Sequence, residues 1–213
     1  MKPKDVRKHK GTYHHGDLYT SAIEVAYAEI EKNGSIDLTF RRVAELIGVT
    51  HAAIYNHFAD RTALLAGVAE KGFQEVGAAM DRASDAAPTP LERYRRMGLA
   101  YTKFALRHPR IYGVMFGPEA TAHAGSRTLS YAASTVFYRI RTAIVDCQKA
   151  GVIASGSAEE HTLFCWSAVH GFASIATEQQ LSKIEGKLPS IDDLAEMIVR
   201  RIFTGLAPHR SGR

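Results

Sequence analysis

Apolar residues recur along the chain at intervals of three and four, with no sustained alternation and no Asn-Gly or Asp-Gly hairpin turn, which predicts helices and no sheet. A first helix opens at Gly16 or Asp17, whose carboxylate can cap the first amides. It carries Tyr19, Ala22, Ile23, Ala26 and Ile30 on one face and ends at Asn33-Gly34. Further starts lie at Thr39, Thr50 and Asp60, the last opening a helix that runs through Leu64, Leu65, Val68 and Phe73 towards Met80. Ala83–Pro90 is a linker. Beyond it the spacing predicts Leu91–His108, stopped by Pro109, and Ile111–Phe116, closed by Gly117-Pro118. A loop follows over Thr121–Ser126, then a long helix to Ala150 and another from Ser157 to about Ile184. Gly186–Pro189 breaks the pattern, and Ser190 caps a last helix carrying Ile191, Leu194, Ala195, Ile198, Ile202 and Leu206 in register.

The segment Phe40–Phe58 has the packing logic of helix, turn, helix. Val43, Ala44 and Ile47 face inward, and the small Ala44 allows close crossing by the next helix. Gly48 takes the turn position that needs positive φ. Val49 plugs the corner, Thr50 caps the next helix, and Ile54 and Phe58 return to the core. The outward side of Thr50–His57 is polar or small. There His51 and Asn56 can read base edges, Ala52 and Ala53 can meet thymine methyls, and Tyr55 can give its hydroxyl to a phosphate. The plain alternative is two packed helices with a solvated face.

The flanks favour DNA. Thr39 caps a helix whose first amides suit a phosphate, and Arg41, Arg42 and Arg61 are cations in first turns, where the helix dipole disfavours them unless an anion is near. Residues 1–15 hold Lys2, Lys4, Arg7, Lys8 and Lys10 against Asp5 alone, a flexible basic arm suited to a polyanion.

From Asp17 to about Leu65 the chain resembles the DNA-binding domain of TetR-family regulators. Ala26, Ile30, Gly34, Thr39, Val43-Ala44, Gly48-Val49-Thr50, Ile54-Tyr55, His57-Phe58 and Leu64-Leu65 follow that pattern in order. A Lys is common in the family at the position of Arg61, so the cation is kept. The resemblance implies a recognition helix over Thr50–His57, phosphate contacts from Thr50, Tyr55 and Arg61, a dimer through the last two helices, and ligand-controlled release from an operator. Trp166, His170 and Gly171 resemble the Trp-x-x-x-His-Gly signature in the ligand domain of one branch. Trp166 and His170, four apart, share a face, and Gly171 is expected to allow close helix packing.

Composition fits this picture. The 213 residues are 46% hydrophobic and 23% charged, enough for a core, and the net charge of +5 suits an anionic partner. Cys147 and Cys165 lack disulfide or zinc spacing. No signal-peptide core and no run of about 20 apolar residues occurs, so a soluble cytoplasmic protein without membrane association is expected.

The expected architecture is all-α. The basic arm is followed by an N-terminal three-helix helix-turn-helix domain (16–62), a C-terminal helical bundle for ligand binding and dimerisation (63–208), and a tail (209–213). The bundle's aromatic residues offer a pocket lined by Tyr101, Phe104, Phe116, Phe137, Trp166 and His170 for a small-molecule effector of unknown identity. Phe172, Ile175, Val199 and Phe203 widen the apolar faces of the last two helices and suit a homodimer on a palindromic operator of double-stranded DNA. No Gly-rich phosphate loop, nucleophile elbow or metal-spaced His cluster appears, so neither enzyme, cofactor nor metal is expected. A helical-bundle enzyme or carrier that ignores DNA is the competing class.

Overall fold

The computed structural model describes residues 18–34, 38–123, 125–178, 180–184 and 186–208. Among them every regular element is helical: α1 (Leu18–Asn33), α2 (Phe40–Ile47), α3 (His51–Tyr55), α4 (Arg61–Ser84), α5 (Pro90–Arg107), α6 (Pro109–Phe116), α7 (Pro118–Ala122), α8 (Arg127–Lys149), α9 (Ala158–Thr177) and α10 (Ile191–Leu206), with a 3-10 turn over Gln180–Lys183. The basic arm with Lys10, the Asp17 cap and the tail lie outside the described residues.

Caps fix the starts. Thr39, Asp60, Thr89, Ser157 and Ser190 each accept a backbone N–H three residues on, satisfying a donor that the first helical turn leaves orphaned. Thr50 holds the N-cap position of α3, but its hydroxyl makes no capping bond. Gly48 ends α2 at φ 82°, and its N–H returns to the Ala44 carbonyl. This left-handed conformation penalises any side chain with a Cβ.

α1, α2 and α3 close over Ala22, Ala26, Ile30, Val43, Ala44, Ile54 and Phe58, all buried. α4 supplies the fourth wall through Leu64, Leu65 and Val68 and then continues as a central strut against α5, α6 and α8. Polar ties reinforce this junction. Arg110 at the start of α6 donates to the Glu31 carbonyl near the end of α1 at 2.8 Å, and Thr62 Oγ1 lies 2.8 Å from His123 Nε2, just beyond α7.

Several boundaries differ from the sequence expectation. α4 continues past Met80 to Ser84, shortening the linker. Pro109 opens α6 instead of merely stopping α5, because an N1 proline loses no hydrogen bond, and His108 serves as the joint between the two helices. Residues assigned to a loop from Thr121 begin inside the short α7. α9 ends at Thr177, well before Ile184, with the 3-10 turn after it. None of the described helices is long and apolar enough to cross a membrane.

Candidate DNA-binding surface and effector site

The helix-turn-helix is held from below. Ile54 and Phe58 are buried, and Phe58 stacks on Tyr19 of α1 with ring centroids 4.9 Å apart. With those anchors spent, His51, Ala52, Tyr55, Asn56 and His57 are all exposed. α3 spans only His51–Tyr55, so Asn56 and His57 sit in the turn that follows, not in the helix. Tyr55 is 54% exposed, yet its ring packs edge-on against Phe40 at 4.9 Å and against His51 at 5.0 Å. The ring is thus oriented by the fold while more than half of the residue stays exposed.

Thr39, Arg41 and Arg42 are exposed beside this surface, with Thr50 at its edge. Their first-turn cations are compensated within the chain. Arg41 pairs with Glu45 at 3.0 Å, and Arg42 with Glu29 of α1 at 2.9 Å. The Arg42 bond, then that of Asn33, holds the Glu29 carboxyl below its ordinary range. Arg61 Nε donates to the Leu38 carbonyl at 3.0 Å, so this cation braces the α1–α2 connection. An anion is therefore not required to explain any one of the three.

In the bundle the signature residues converge with side chains from two other helices. Trp166 and His170 stack at 5.1 Å on α9. His170 Nδ1 lies 2.5 Å from the Tyr112 hydroxyl of α6 and 3.2 Å from the Tyr101 hydroxyl of α5, and the two hydroxyls are 3.1 Å apart. Burial raises the Tyr101 hydroxyl to about 12, against the hydrogen bonds of Tyr112 and Trp166, and drives Tyr112 higher still. Burial also lowers the His170 pKa, so the ring is neutral at pH 7. Phe116 covers this cluster at 4.4 Å from the His170 ring, and Phe137 meets Trp166 edge-on at 6.5 Å.

Five of the six expected pocket residues thus share one neighbourhood. Phe104 does not: it packs on His108 and lines a separate surface cleft with Arg96 and Arg107. Tyr112 and Phe73 were not singled out in the sequence, where they are two among many aromatics. The enclosed space beside Met80, Met97 and Trp166 is only about 20 Å³. Gly171 also departs from expectation. A Cβ there would meet nothing within 4 Å, so it serves no close packing inside the chain. Phe172 and Val199 are buried by the chain's own helices, and Phe203 packs on Tyr94 at 4.8 Å. Their apolar width is consumed internally, unlike that of Ile175, which is 44% exposed.

Two family descriptions match these two parts: "Bacterial regulatory proteins, tetR family" over residues 22–68, and "Tetracyclin repressor-like, C-terminal domain" over residues 94–202. The chain belongs to the TetR family of transcriptional regulators. A solved protein of unknown function from Rhodococcus sp. RHA1 is 30% identical, with 92% of this chain and 99% of that chain covered and a TM-score of 0.77. The fatty acid degradation regulator FadR from Bacillus halodurans shares the fold at 11% identity, with 90% and 97% covered and a TM-score of 0.70. So does the ketosteroid transcriptional regulator KstR2 of Mycobacterium tuberculosis, at 15% identity, 89% and 95% covered, and a TM-score of 0.60. Among curated proteins nothing matches the sequence. For a TetR-family regulator, α2 and α3 are the helix-turn-helix of a DNA-binding domain, and the helical C-terminal domain binds ligand.

Proposed function

We propose that this TetR-family regulator is a repressor that binds a palindromic operator as a homodimer and leaves it when a small molecule fills the bundle. Residues 16–62 read DNA, and residues 63–208 sense and dimerise. The observation that carries the reading is the split of α3 and its turn: Ile54 and Phe58 are fully used as anchors, while His51, Ala52, Tyr55, Asn56 and His57 all face out. A surface of that size and polarity fits a major groove. Thr39, Thr50, Tyr55 and Arg61 contact phosphates, Arg41 and Arg42 exchange carboxylate partners for phosphate oxygens, and Lys10 follows the backbone from the arm.

The dimer uses the outer face of α9, where Leu163, Phe164, Ser167 and Ile175 are exposed and Gly171 leaves room for a second backbone. Two-fold symmetry sets the recognition helices about 34 Å apart or slightly more, on successive major grooves. An effector that prefers a different spacing weakens operator binding by that preference.

Selection of bound fragments from random duplex DNA tests the reading. The expected product is a palindrome whose affinity falls steeply with salt. Asn56→Ala is expected to cost about 1–3 kcal/mol and to relax preference at one base pair in each half-site, while Tyr55→Phe weakens all sequences alike. Gly171→Arg is expected to yield monomers by sedimentation and to lose operator affinity. Failure of the wild-type protein to enrich any DNA would favour a carrier or bundle enzyme.

A further inference from the structure

The enclosed space beside Met80, Met97 and Trp166 is too small for an effector, because about 20 Å³ holds no more than one water. Larger volumes lie in surface clefts: two of about 720 Å³ border α5, one against α4 and one against α10, and both are lined by several charged side chains. A groove of about 470 Å³ runs between α4 and α8, with Phe73, Ala78, Tyr131 and Ala132 among its walls. Its four charged residues balance: Glu70 and Asp81 on α4 face Arg127 and Arg139 on α8. Arg139 grips Asp81 with two nitrogens at 2.9–3.0 Å. It lies across Gly77, where a Cβ would stand 3.2 Å from Nη1. The groove therefore offers apolar contact and no net charge.

Its wall leads inward. Phe73 meets Phe116 edge-on at 5.4 Å, and Phe116 lies against both Tyr112 (4.9 Å) and His170 (4.4 Å). Behind that ring sits the triangle of Tyr101 Oη, Tyr112 Oη and His170 Nδ1, with sides of 3.1, 3.2 and 2.5 Å. Among themselves these three groups cannot fill all three sides, and Trp166 and Ser174 add bonds to the Tyr101 and Tyr112 hydroxyls from outside the triangle. With the ring proton on Nε2, two hydroxyl hydrogens serve three contacts. With it on Nδ1, the ring can donate but not accept, so one hydroxyl hydrogen finds no acceptor among the three. Either tautomer fills only two of the three sides. With the proton on Nδ1, an incoming oxygen acceptor can take the remaining hydroxyl hydrogen; with it on Nε2, both hydroxyl hydrogens are engaged and an incoming alcohol can donate to a phenol oxygen instead.

We propose that the α4–α8 groove and the hydroxyl–imidazole triangle behind Phe73 and Phe116 form one effector site, and that it takes an uncharged, mainly apolar molecule carrying a single ketone or alcohol oxygen. The apolar body lies along the groove, and the oxygen passes the Phe73–Phe116 edge to reach Tyr112. A charged head is disfavoured because the groove's four charges sum to zero, with Arg139 and Asp81 paired to each other, and the triangle presents neutral groups. This assignment rests on the ligand-release reading above, and supplies the chemical class of the ligand.

An octyl series tests it on the full chain without DNA: octan-2-one, octan-1-ol, octanoate and octylammonium, followed by calorimetry and by the emission of Trp166, the single tryptophan in the sequence. The expected result is saturable binding of the two neutral compounds, with both ions at least about 30-fold weaker, since a charge buried without a partner is costly. Tyr112→Phe is expected to weaken octan-2-one about fivefold through the lost hydrogen bond. Ala78→Leu, which fills the groove without touching the triangle, is expected to weaken both neutral compounds at least about tenfold. Equal or tighter binding of either ion, no saturable binding of the neutral pair, or indifference to Ala78→Leu overturns the proposal. If the ketone binds as stated but leaves operator affinity unchanged, the site stands and the release reading fails.

Discussion

The hydroxyl of Tyr112 stands 2.5 Å from Nδ1 of His170, tying α6 to α9 across 58 positions of sequence. Tyr101 approaches the same nitrogen at 3.2 Å. With Nδ1 as the acceptor, removing the Tyr112 hydroxyl leaves Tyr101 to donate to the imidazole, and with Nδ1 protonated Tyr101 can accept from it. Tyr112→Phe is therefore expected to cost about 1 kcal/mol, in the range of one exchanged hydrogen bond rather than a stranded polar group. Urea unfolding checks this. A loss beyond about 3 kcal/mol would mean that Tyr101 does not take over.

Burial gives His170 a folded pKa below its ordinary 6.5. The native state then holds fewer protons than the unfolded chain through the window below 6.5, so this residue's contribution is complete above that pH and is lost as pH falls. Comparing wild type with His170→Gln isolates it from the other histidines. The wild-type advantage in unfolding free energy is expected to shrink between pH 8 and pH 5. An advantage that grows with acid would reverse the assignment of a neutral ring.

Gly72 lies under Met115, where α4 and α6 approach: an added Cβ would sit 2.7 Å from Sδ and 3.0 Å from Ile111 Cγ2. Gly72→Ala is expected to destabilise by about 1–3 kcal/mol, the usual cost of overpacking. Combining it with Met115→Ala removes the flexible part of the clash, so the double variant is expected to be more stable than the sum of the two single changes. Strict additivity in a double-mutant cycle would show that the Ile111 contact alone sets the distance.

Glu92 gathers Arg95 and Arg96 on α5, and Arg95 reaches on to Glu196 of α10 at 2.6 Å. The hydrogen bonds from Arg95, then Arg96, hold the Glu92 carboxyl down to about 2. A depressed folded pKa means stability present above the carboxyl's ordinary 4.5 and lost as pH falls through about 2. The cluster is partly exposed, and screening limits its worth to about 1 kcal/mol. Glu92→Gln is expected to lower the melting temperature at pH 7 by a few degrees, and to have a much smaller effect near pH 2.

The helix-turn-helix was legible because local rules coincide there. Thr39 and Asp60 are caps, Gly48 needs a left-handed turn, and Ile54 and Phe58 obey helical spacing. The joint at His108 was not, because a proline after a helix marks a stop and an N1 start equally well, and only tertiary packing of Ile111 and Tyr112 decides. The end of α9 was missed for a related reason: Leu181 and Ile184 keep an apolar rhythm that a 3-10 turn also satisfies. Spacing told that Trp166 and His170 share a face, but not which helices meet it, so Tyr112 went unselected and Phe104 was wrongly grouped. The inward turn of Val199 likewise depends on Gly98 of α5, where a Cβ would come within 3.3 Å of its methyl. No periodicity records that neighbour.

α4 is an unbroken helix of 24 residues whose opening turns pack against α1 and whose later turns pack against α5, α6 and α8, all within one continuous core. A rod shared in this way leaves no hinge at which the two ends can lose order separately. Calorimetry should accordingly trace a single endotherm for the whole polypeptide, and a protease cut within the rod should leave two fragments, each lacking a wall, instead of two working modules.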